Sequence, residues 1–125
     1  MYPVNNTIMI PYAKGLCVVD ISSVVRIEAV SNYSRLFLAD GRQFLVSKVL
    51  KQMEAMLAGK GFTRVHRSHL VNTAFIQSYN LRQMKIRLNN KEEISISRRK
   101  RRDIRKKFAE QAATFLNNHN MPAAA

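Results

Sequence analysis

Two histidines, two arginines and a serine lie close together in the stretch RVHRSHLVN, residues 64–72. These residue types allow four kinds of chemistry: a metal site built on His66 and His69, a catalytic cluster around Ser68, a polar loop without a function, or a surface that binds another charged molecule. The rest of the chain decides between them, because each kind of site needs partners elsewhere in the sequence.

A metal site at this stretch is short of ligands. His66 and His69 are three residues apart, and the one cysteine, Cys17, is distant in the sequence. Zinc in proteins takes three or four protein ligands, and Arg64 and Arg67 would repel a cation. We therefore predict no bound metal and no other cofactor.

A catalytic cluster is equally poorly supported. Ser68 adjoins His69, but neighbouring positions along a chain seldom aim at one another, and a nucleophile and base also need a third group that orients the base. The sequence contains neither the Gly-x-Ser-x-Gly turn of many hydrolases nor the Gly-x-x-x-x-Gly-Lys phosphate loop. We predict that the chain is not an enzyme.

The charge of the chain is strongly positive and concentrated in one region. Twenty-one Lys and Arg face eight Asp and Glu, a formal net charge of +13. Residues 60–107 carry fifteen basic and three acidic side chains, net +12, whereas residues 1–59 carry six and four, net +2. Such a block attracts a polyanion, namely DNA, RNA or an acidic membrane surface. A solvated basic face is the plain alternative.

The run SRRKRRDIRKK, residues 97–107, places five consecutive cations where the last helix is predicted to begin. A helix N-terminus carries about +0.5 charge, so cations there cost some stability. A phosphate group would resolve the conflict, since backbone N–H groups, the helix dipole and the guanidinium groups would all face the same anion. An arginine at residues 64–72 can likewise bind guanine through two parallel hydrogen bonds.

The remaining composition describes a cytoplasmic domain. The 125 residues are 46% hydrophobic, enough for one core. No apolar run approaches the ~20 residues of a membrane span, and the N-terminus does not resemble a secretory signal. Cys17 can form no internal disulfide, and its apolar surroundings predict a buried, inert thiol.

Apolar alternation and turn residues predict a mainly β fold. Asp40-Gly41 predicts a hairpin, and Asn89-Asn90 predicts a second tight turn with positive φ. Apolar residues three and four apart predict a helix over residues 48–57, capped by Ser47 and ended by Gly59 and Gly61. The predicted extended segments are 7–13, 16–21, 24–30, 34–39, 42–46, 62–65, 70–72, 75–79, 84–88 and 92–96.

A second helix is predicted to begin at Ser97. Its apolar face should pack on the sheet or on a partner, because four apolar residues recur at spacings of four, four and three: Ile104, Phe108, Ala112 and Phe115. Residues 1–116 are predicted to form the domain. Residues 117–125 have no pattern and are predicted to be a loose tail.

Three stretches together resemble the LytTR-type DNA-binding domain of bacterial transcription regulators. They are EAVSNYS before the first hairpin, FTRVHRSHLVN, and ISRR before the last helix, in the order and spacing of that family, and the likeness extends over residues 7–108. The resemblance implies an elongated β-β-β fold of small antiparallel sheets with one central and one C-terminal helix. It also implies loops that enter successive major grooves of bent DNA and read direct repeats in promoters.

The resemblance also implies residue roles. Base contacts fall to Ser34, Arg67 and Arg98. Contacts to phosphate groups, or a role in orienting the other side chains, fall to Asn32, Tyr33, Arg64, His66, Ser68, Arg99 and Arg102. Val65, Leu70 and Val71 are expected in the core, and Asn72 is expected to hold the backbone after the loop.

The sequence thus predicts a sequence-specific regulator of transcription that binds double-stranded DNA. The alternative is a small basic RNA-binding or ribosome-associated protein, for which Tyr33 is the one aromatic residue in a plausible contact loop. The family usually carries a phospho-receiver domain, which these residues do not include, so we expect a stand-alone regulator or an excised domain. We expect a monomer without membrane insertion that binds repeats side by side, and a regulatory protein partner stays open.

Overall fold

The computed structural model describes residues 3–119, and its main component is antiparallel β-structure. Within these residues there are ten strands and two α-helices: β1 (Thr7–Tyr12), β2 (Gly15–Asp20), β3 (Val24–Val30), β4 (Tyr33–Leu38), β5 (Gln43–Val46), α1 (Leu50–Met56), β6 (Phe62–His66), β7 (His69–Asn72), β8 (Ile76–Asn80), β9 (Lys85–Leu88), β10 (Glu93–Ser95) and α2 (Arg98–His119). The predicted mainly β class with a central and a C-terminal helix is confirmed.

Three sheets make up the fold, and the largest is central. Its five strands run in the order β5-β4-β3-β7-β6, while β1-β2 form a hairpin and β10-β9-β8 form a third sheet. Every strand pair is antiparallel. The side chains of a strand alternate between the two faces of its sheet, so the central sheet can support a core on each side.

One core lies between the central sheet, the β1-β2 hairpin and α1. It is formed by apolar residues from all of these elements, among them Ile8, Ile10, Val19, Ile27, Leu36, Met53 and Leu70. The second core lies against the third sheet and the start of α2, and contains Val25, Val65, Val71, Ile86, Leu88, Ile94, Ile96 and Ile104. The predicted core positions Val65, Leu70 and Val71 are completely buried.

Asn72 ties β7 to its surroundings. Its side-chain amide donates to the carbonyl oxygen of Val24 at 2.9 Å, and its side-chain oxygen accepts from the backbone N–H of Ala74 at 3.0 Å. The side chain is buried, and its hydrogen bond to Val24 is shielded from water. The predicted role of Asn72 in holding the backbone after the loop is confirmed.

A buried arginine joins the central sheet to the third sheet. Arg26 on β3 donates to both carboxylate oxygens of Glu92, at 3.4 and 2.8 Å, and to Glu28 at 3.3 Å. Its guanidinium lies 3.7 Å from the centre of the Phe37 ring. We call Arg26, Glu28, Phe37 and Glu92 the Arg26 cluster. Burial of the guanidinium is compensated by two carboxylates and an aromatic face.

Two hairpin loops share one geometry, which differs from the predicted tight turns. In each, the residue with positive φ is the third of three loop residues, Gly41 at 90° and Lys91 at 75°. The N–H of Gly41 donates to Leu38, and that of Lys91 donates to Leu88. The predicted positive φ at Asn89-Asn90 is therefore wrong. A three-residue loop places a left-handed residue after a type I turn.

The first helix begins differently from the prediction. Val49, not Ser47, precedes α1, and the backbone N–H of Val49 donates to the side chain of Gln52 at 3.0 Å. The predicted cap by Ser47 is wrong, because the helix begins two residues later than that role requires. Gly59 and Gly61 both have positive φ after the helix, as expected of residues that end one.

The second helix contributes its beginning to the second core. Ile104 is completely buried, whereas Phe108 and Phe115 are about half exposed. Phe108 meets the ring of Tyr79 edge-on with the ring centres 5.5 Å apart. The helix continues to His119, into the first three residues of the predicted tail, and residues 120–125 lie outside the described residues. Within residues 3–119, neither helix has the length and apolar content needed to cross a membrane.

Cys17 is half-buried, not fully buried as predicted. Its sulfur accepts a long hydrogen bond of 3.8 Å from the guanidinium of Arg42.

Candidate nucleic-acid interface

Several connections meet at one end of the central sheet. Strand β3 pairs with both β4 and β7, so the β3–β4 turn and the β6–β7 turn lie at the same end. The N–H of Ala29 donates to the carbonyl oxygen of Ser68 at 2.9 Å and links the two turns. Strand β5 also ends here, since Val46 pairs with Ser34. We call this the His66 end of the sheet.

The second helix begins at the same end. The N–H of Ser97 donates to the carbonyl oxygen of Val65 at 2.9 Å, which fixes the residue before α2 to the end of strand β6. The side chain of Lys107 donates to the hydroxyl of Thr63 at 2.6 Å and holds the helix along the same strand. Three segments that are far apart in the sequence therefore lie at this end of the sheet: 31–34, 64–68 and 97–100.

Arg64 organises the β6–β7 turn from inside. Its guanidinium donates to the carbonyl oxygens of His66, at 2.8 Å, and Arg67, and to the carboxylate of Glu54 at 2.9 Å. The side chain is only 16% exposed. Because its donors are engaged by these acceptors, Arg64 is suited to orienting the turn, which is one of its two predicted roles. Arg67 lies exposed at the apex of the turn.

His66 is oriented by the backbone of the same turn. Its Nδ1 accepts a hydrogen bond from the N–H of Ser68 at 3.1 Å. A neutral imidazole that accepts at Nδ1 carries its proton on Nε2, so His66 can donate from that atom. Ser68 is half-buried, its backbone N–H donates to His66, and its carbonyl oxygen accepts from Ala29 on β3.

His69 lies beneath His66 and has a different environment. The two ring centres are 5.4 Å apart. Burial lowers the pKa of His69, and the negative charge of Glu28 acts in the opposite direction. Nδ1 of His69 is buried without a hydrogen-bond partner. The described part of the chain contains no group of three or more His, Cys, Asp or Glu side chains that could hold a metal ion.

The first turn of α2 carries cations and no acidic residue. Ser97 caps it, because its hydroxyl and its carbonyl oxygen both accept from the N–H of Lys100, at 3.3 and 3.0 Å. Arg98, Arg99 and Arg102 are exposed on this helix. The positive end of the helix dipole and these side chains thus produce one electropositive surface.

A groove connects the turn, α1 and the start of α2. It has a volume of about 660 Å³, and we call it the basic groove. Five cations line it together with one carboxylate, that of Glu54, which pairs with Arg64. The lining residues are Lys51, Glu54, Arg64, His66, Arg67, Ser97, Arg99 and Lys100. The predicted residues Arg64, His66, Arg67 and Arg99 are brought together here, while Arg98 and Arg102 lie exposed on the adjoining helix.

Two cations of the groove were not among the predicted contacts. Lys51 comes from α1, and Lys100 lies between predicted contacts on α2. Lys100 belongs to the basic run and was within reach of the sequence argument. Lys51 was not, since a lysine on the polar face of a short helix carries no sign of the distant loop that it faces.

The β3–β4 turn presents some of its predicted residues and hides another. Asn32 and Tyr33 are exposed, but Ser34 is completely buried and its hydroxyl donates to the carbonyl oxygen of Lys48 at 2.7 Å. Ser34 is therefore not presented for the predicted base contact, because strand alternation directs it into the core. Ser31 has a φ of 55°, which is strained for a residue with a side chain.

The family can now be identified. The family model named LytTR, the LytTr DNA-binding domain, matches residues 14–109. Among solved structures, the fold is similar to the LytTr DNA-binding domain of a protein named as a methyl-accepting/DNA response regulator from Bacillus cereus. The TM-score is 0.71 at 22% sequence identity, covering 82% of this chain and 96% of that chain. No curated protein matches. Because the family model covers well over half of its residues, the chain belongs to the LytTR family of DNA-binding domains.

Proposed function

We propose that the chain is a sequence-specific transcription regulator that binds double-stranded DNA with the His66 end of its central sheet. The observation that carries this proposal is the basic groove, in which Arg67 from one loop and Arg99 from the start of α2 line the same surface. A duplex presents phosphate groups on both sides of each groove. A side chain between two phosphate contacts is then placed to reach the base edges.

Arg67 and Arg98 are the proposed base-reading side chains. Both are exposed, and each lies where a backbone segment is held rigidly, Arg67 by the guanidinium of Arg64 and Arg98 by the capped start of α2. Arginine recognises guanine through two parallel hydrogen bonds in the major groove. Lys51, Arg99, Lys100 and Arg102 are proposed to contact phosphate groups.

We propose that two segments of the interface occupy successive major grooves and that sites are direct repeats. The β3–β4 turn and the basic groove are separate features of the His66 end, which suits two insertions along one duplex. Two chains would then bind adjacent repeats side by side while remaining monomers when free. Sedimentation of the free protein and of its complex with a one-repeat and a two-repeat duplex tests this stoichiometry.

Selection of bound duplexes from a random pool tests the function. We expect a recurring motif, with spacing close to one helical turn between its repeats. A parallel titration should compare the selected duplex with single-stranded RNA of equal length. Enrichment without any motif, or tighter binding of the RNA at equal salt, would replace this proposal with the RNA-binding alternative.

A further inference from the structure

An apolar patch adjoins the β3–β4 turn at the His66 end. Tyr33 is 46% exposed and Leu45 is 49% exposed. Both line a groove of about 390 Å³, together with Pro11, Val46, Ser47 and Lys48. We call Tyr33 and Leu45 the apolar pair. Since both side chains are half in solvent, neither is fully used by the protein core.

Strand register explains why the two side chains are neighbours. Arg35 on β4 pairs directly with Leu45 on β5, so these two share a face of the sheet. Tyr33 is two residues before Arg35 and lies on the same face. A diagonal pair of this kind lies within reach of an aromatic side chain. The opposite face is occupied by buried Ser34 and Val46.

The surroundings of the apolar pair favour DNA over a protein partner. Asn32 is exposed one residue before Tyr33, Lys48 lines the same groove, and the basic groove opens at the same end of the sheet. The pair is therefore an apolar element at the same end of the sheet as the cations of the basic groove, with Lys48 beside it. The major groove of DNA offers one apolar group to such a surface, the 5-methyl group of thymine.

We propose that Tyr33 and Leu45 read the 5-methyl group of a thymine in the target site. This inference rests on the proposed function, because it assigns a specificity to the same interface. It also gives the β3–β4 turn a means of discrimination that does not depend on Ser34, whose hydroxyl is already bonded to Lys48.

Replacing thymine with deoxyuridine tests the proposal, because it removes this methyl group alone. The probe is the duplex obtained by selection, with each thymine replaced in turn. At one position we expect binding to weaken about fourfold, the effect of losing one buried methyl group. Tyr33→Ala and Leu45→Ala should each weaken binding to the thymine duplex, and deoxyuridine should then have no further effect at that position.

Two controls separate apolar contact from other causes. Tyr33→Phe removes only the hydroxyl and should keep the fourfold response to deoxyuridine. Val18→Ala removes an apolar side chain that is also exposed, at 58%, but lies on β2, and it should leave both affinity and response unchanged. Thermal unfolding confirms that each variant is folded.

The outcomes distinguish the failure of the thymine contact from the failure of the proposed DNA-binding function. If no duplex motif is selected, both fail. If a motif is bound but no deoxyuridine position weakens binding, or the response persists unchanged in both alanine variants, the methyl contact alone is excluded.

Discussion

The guanidinium of Arg64 shows how a cation of the proposed nucleic-acid interface can serve the shape of the protein itself. It binds the backbone carbonyl oxygens of His66 and Arg67 and the carboxylate of Glu54. Its charge is largely neutralised, and the gain is a turn with a defined shape. Arg67, which it supports, keeps its own side chain exposed. Neighbouring arginines in one loop therefore have different tasks.

Arg67→Ala should reduce affinity for the selected duplex by about 1–3 kcal/mol and relax base preference at one position. The affinity of this variant for random duplex should fall much less, because the contact that it loses is to a base of the selected site and not to a phosphate group. Titrations of both duplexes at one salt concentration measure the difference. Arg42→Ala is the matched control, because it removes the same charge at the other end of β5, where Arg42 pairs with Asp40 at 2.7 Å.

Equal losses on selected and random duplex for Arg67→Ala would contradict base reading and leave this residue a phosphate contact.

At the level of single residues, the sequence predicted which loop side chains lie together better than it predicted their exposure. The loop residues Arg64, His66 and Arg67 do meet at one surface. Ser34 could not be excluded in advance, because the unbroken apolar run at residues 36–39 does not show which alternate residues of β4 face the core. A shift of one residue in a strand exchanges its two faces.

At the level of elements, the cations at the start of α2 lower the stability of the helix and favour the binding of an anion. Exposed cations occupy the positive end of a helix that has no acidic residue in its first turn. The arrangement is unfavourable for the isolated fold and favourable once an anion is bound.

Arg99→Glu should therefore stabilise the free protein and impair DNA binding. Placing a carboxylate in the first turn should raise the free energy of unfolding by about 0.3–1 kcal/mol. Urea denaturation of the free protein measures this change, and a duplex titration should show a loss of affinity. The same substitution at Arg105, beyond the first turn, should lack the dipole-derived gain. A lower free energy of unfolding for Arg99→Glu than for the wild type would show that the cation in the first turn does not destabilise the free protein.

Arg102→Ala concerns the same helix but affects all duplexes alike. Loss of one phosphate contact should weaken selected and random DNA equally and reduce the slope of log K against log salt by about 1. Binding constants at four or five salt concentrations give the slope. An unchanged slope would show that Arg102 makes no phosphate contact.

Strand and helix positions could be predicted largely because apolar alternation reports burial on one face. The extents of the loops could not. Gly41 is recognisable from its residue type, but Lys91 takes the same left-handed conformation at the equivalent loop position. The pairing of β9 with β10 fixes that conformation, and a lysine gives no local sign of it. The last residues of α2 were not predicted, because residues 117–119 are all polar and continue no apolar periodicity.

For the whole molecule, the Arg26 cluster joins the sheet that carries the loops to the sheet that precedes α2. Hydrogen bonds from Arg26 lower the pKa of Glu92 below its ordinary value of 4.5. A carboxyl group with a lowered pKa in the folded state contributes stability above its unfolded pKa, and the contribution is lost as the pH falls through the folded value.

Glu92→Gln should therefore be less stable than the wild type at pH 7, and the difference should shrink as the pH falls below 4.5. Denaturation curves at several pH values between 7 and 3 test this. Glu110→Gln, on the exposed later part of α2, is the control and should show little difference at any pH. A constant gap between Glu92→Gln and the wild type would exclude ionisation of Glu92 as the cause.

Cys17 offers a practical consequence. It is the one cysteine of a chain without tryptophan. Its thiol contacts Arg42, which precedes β5, whereas Ser47 and Lys48 follow that strand. An environment-sensitive dye attached there by thiol chemistry would label a single position of the natural sequence. Cys17 pairs with Ile10, the neighbour of Pro11 in the groove of the apolar pair, so such a dye could report the arrival of a duplex by fluorescence.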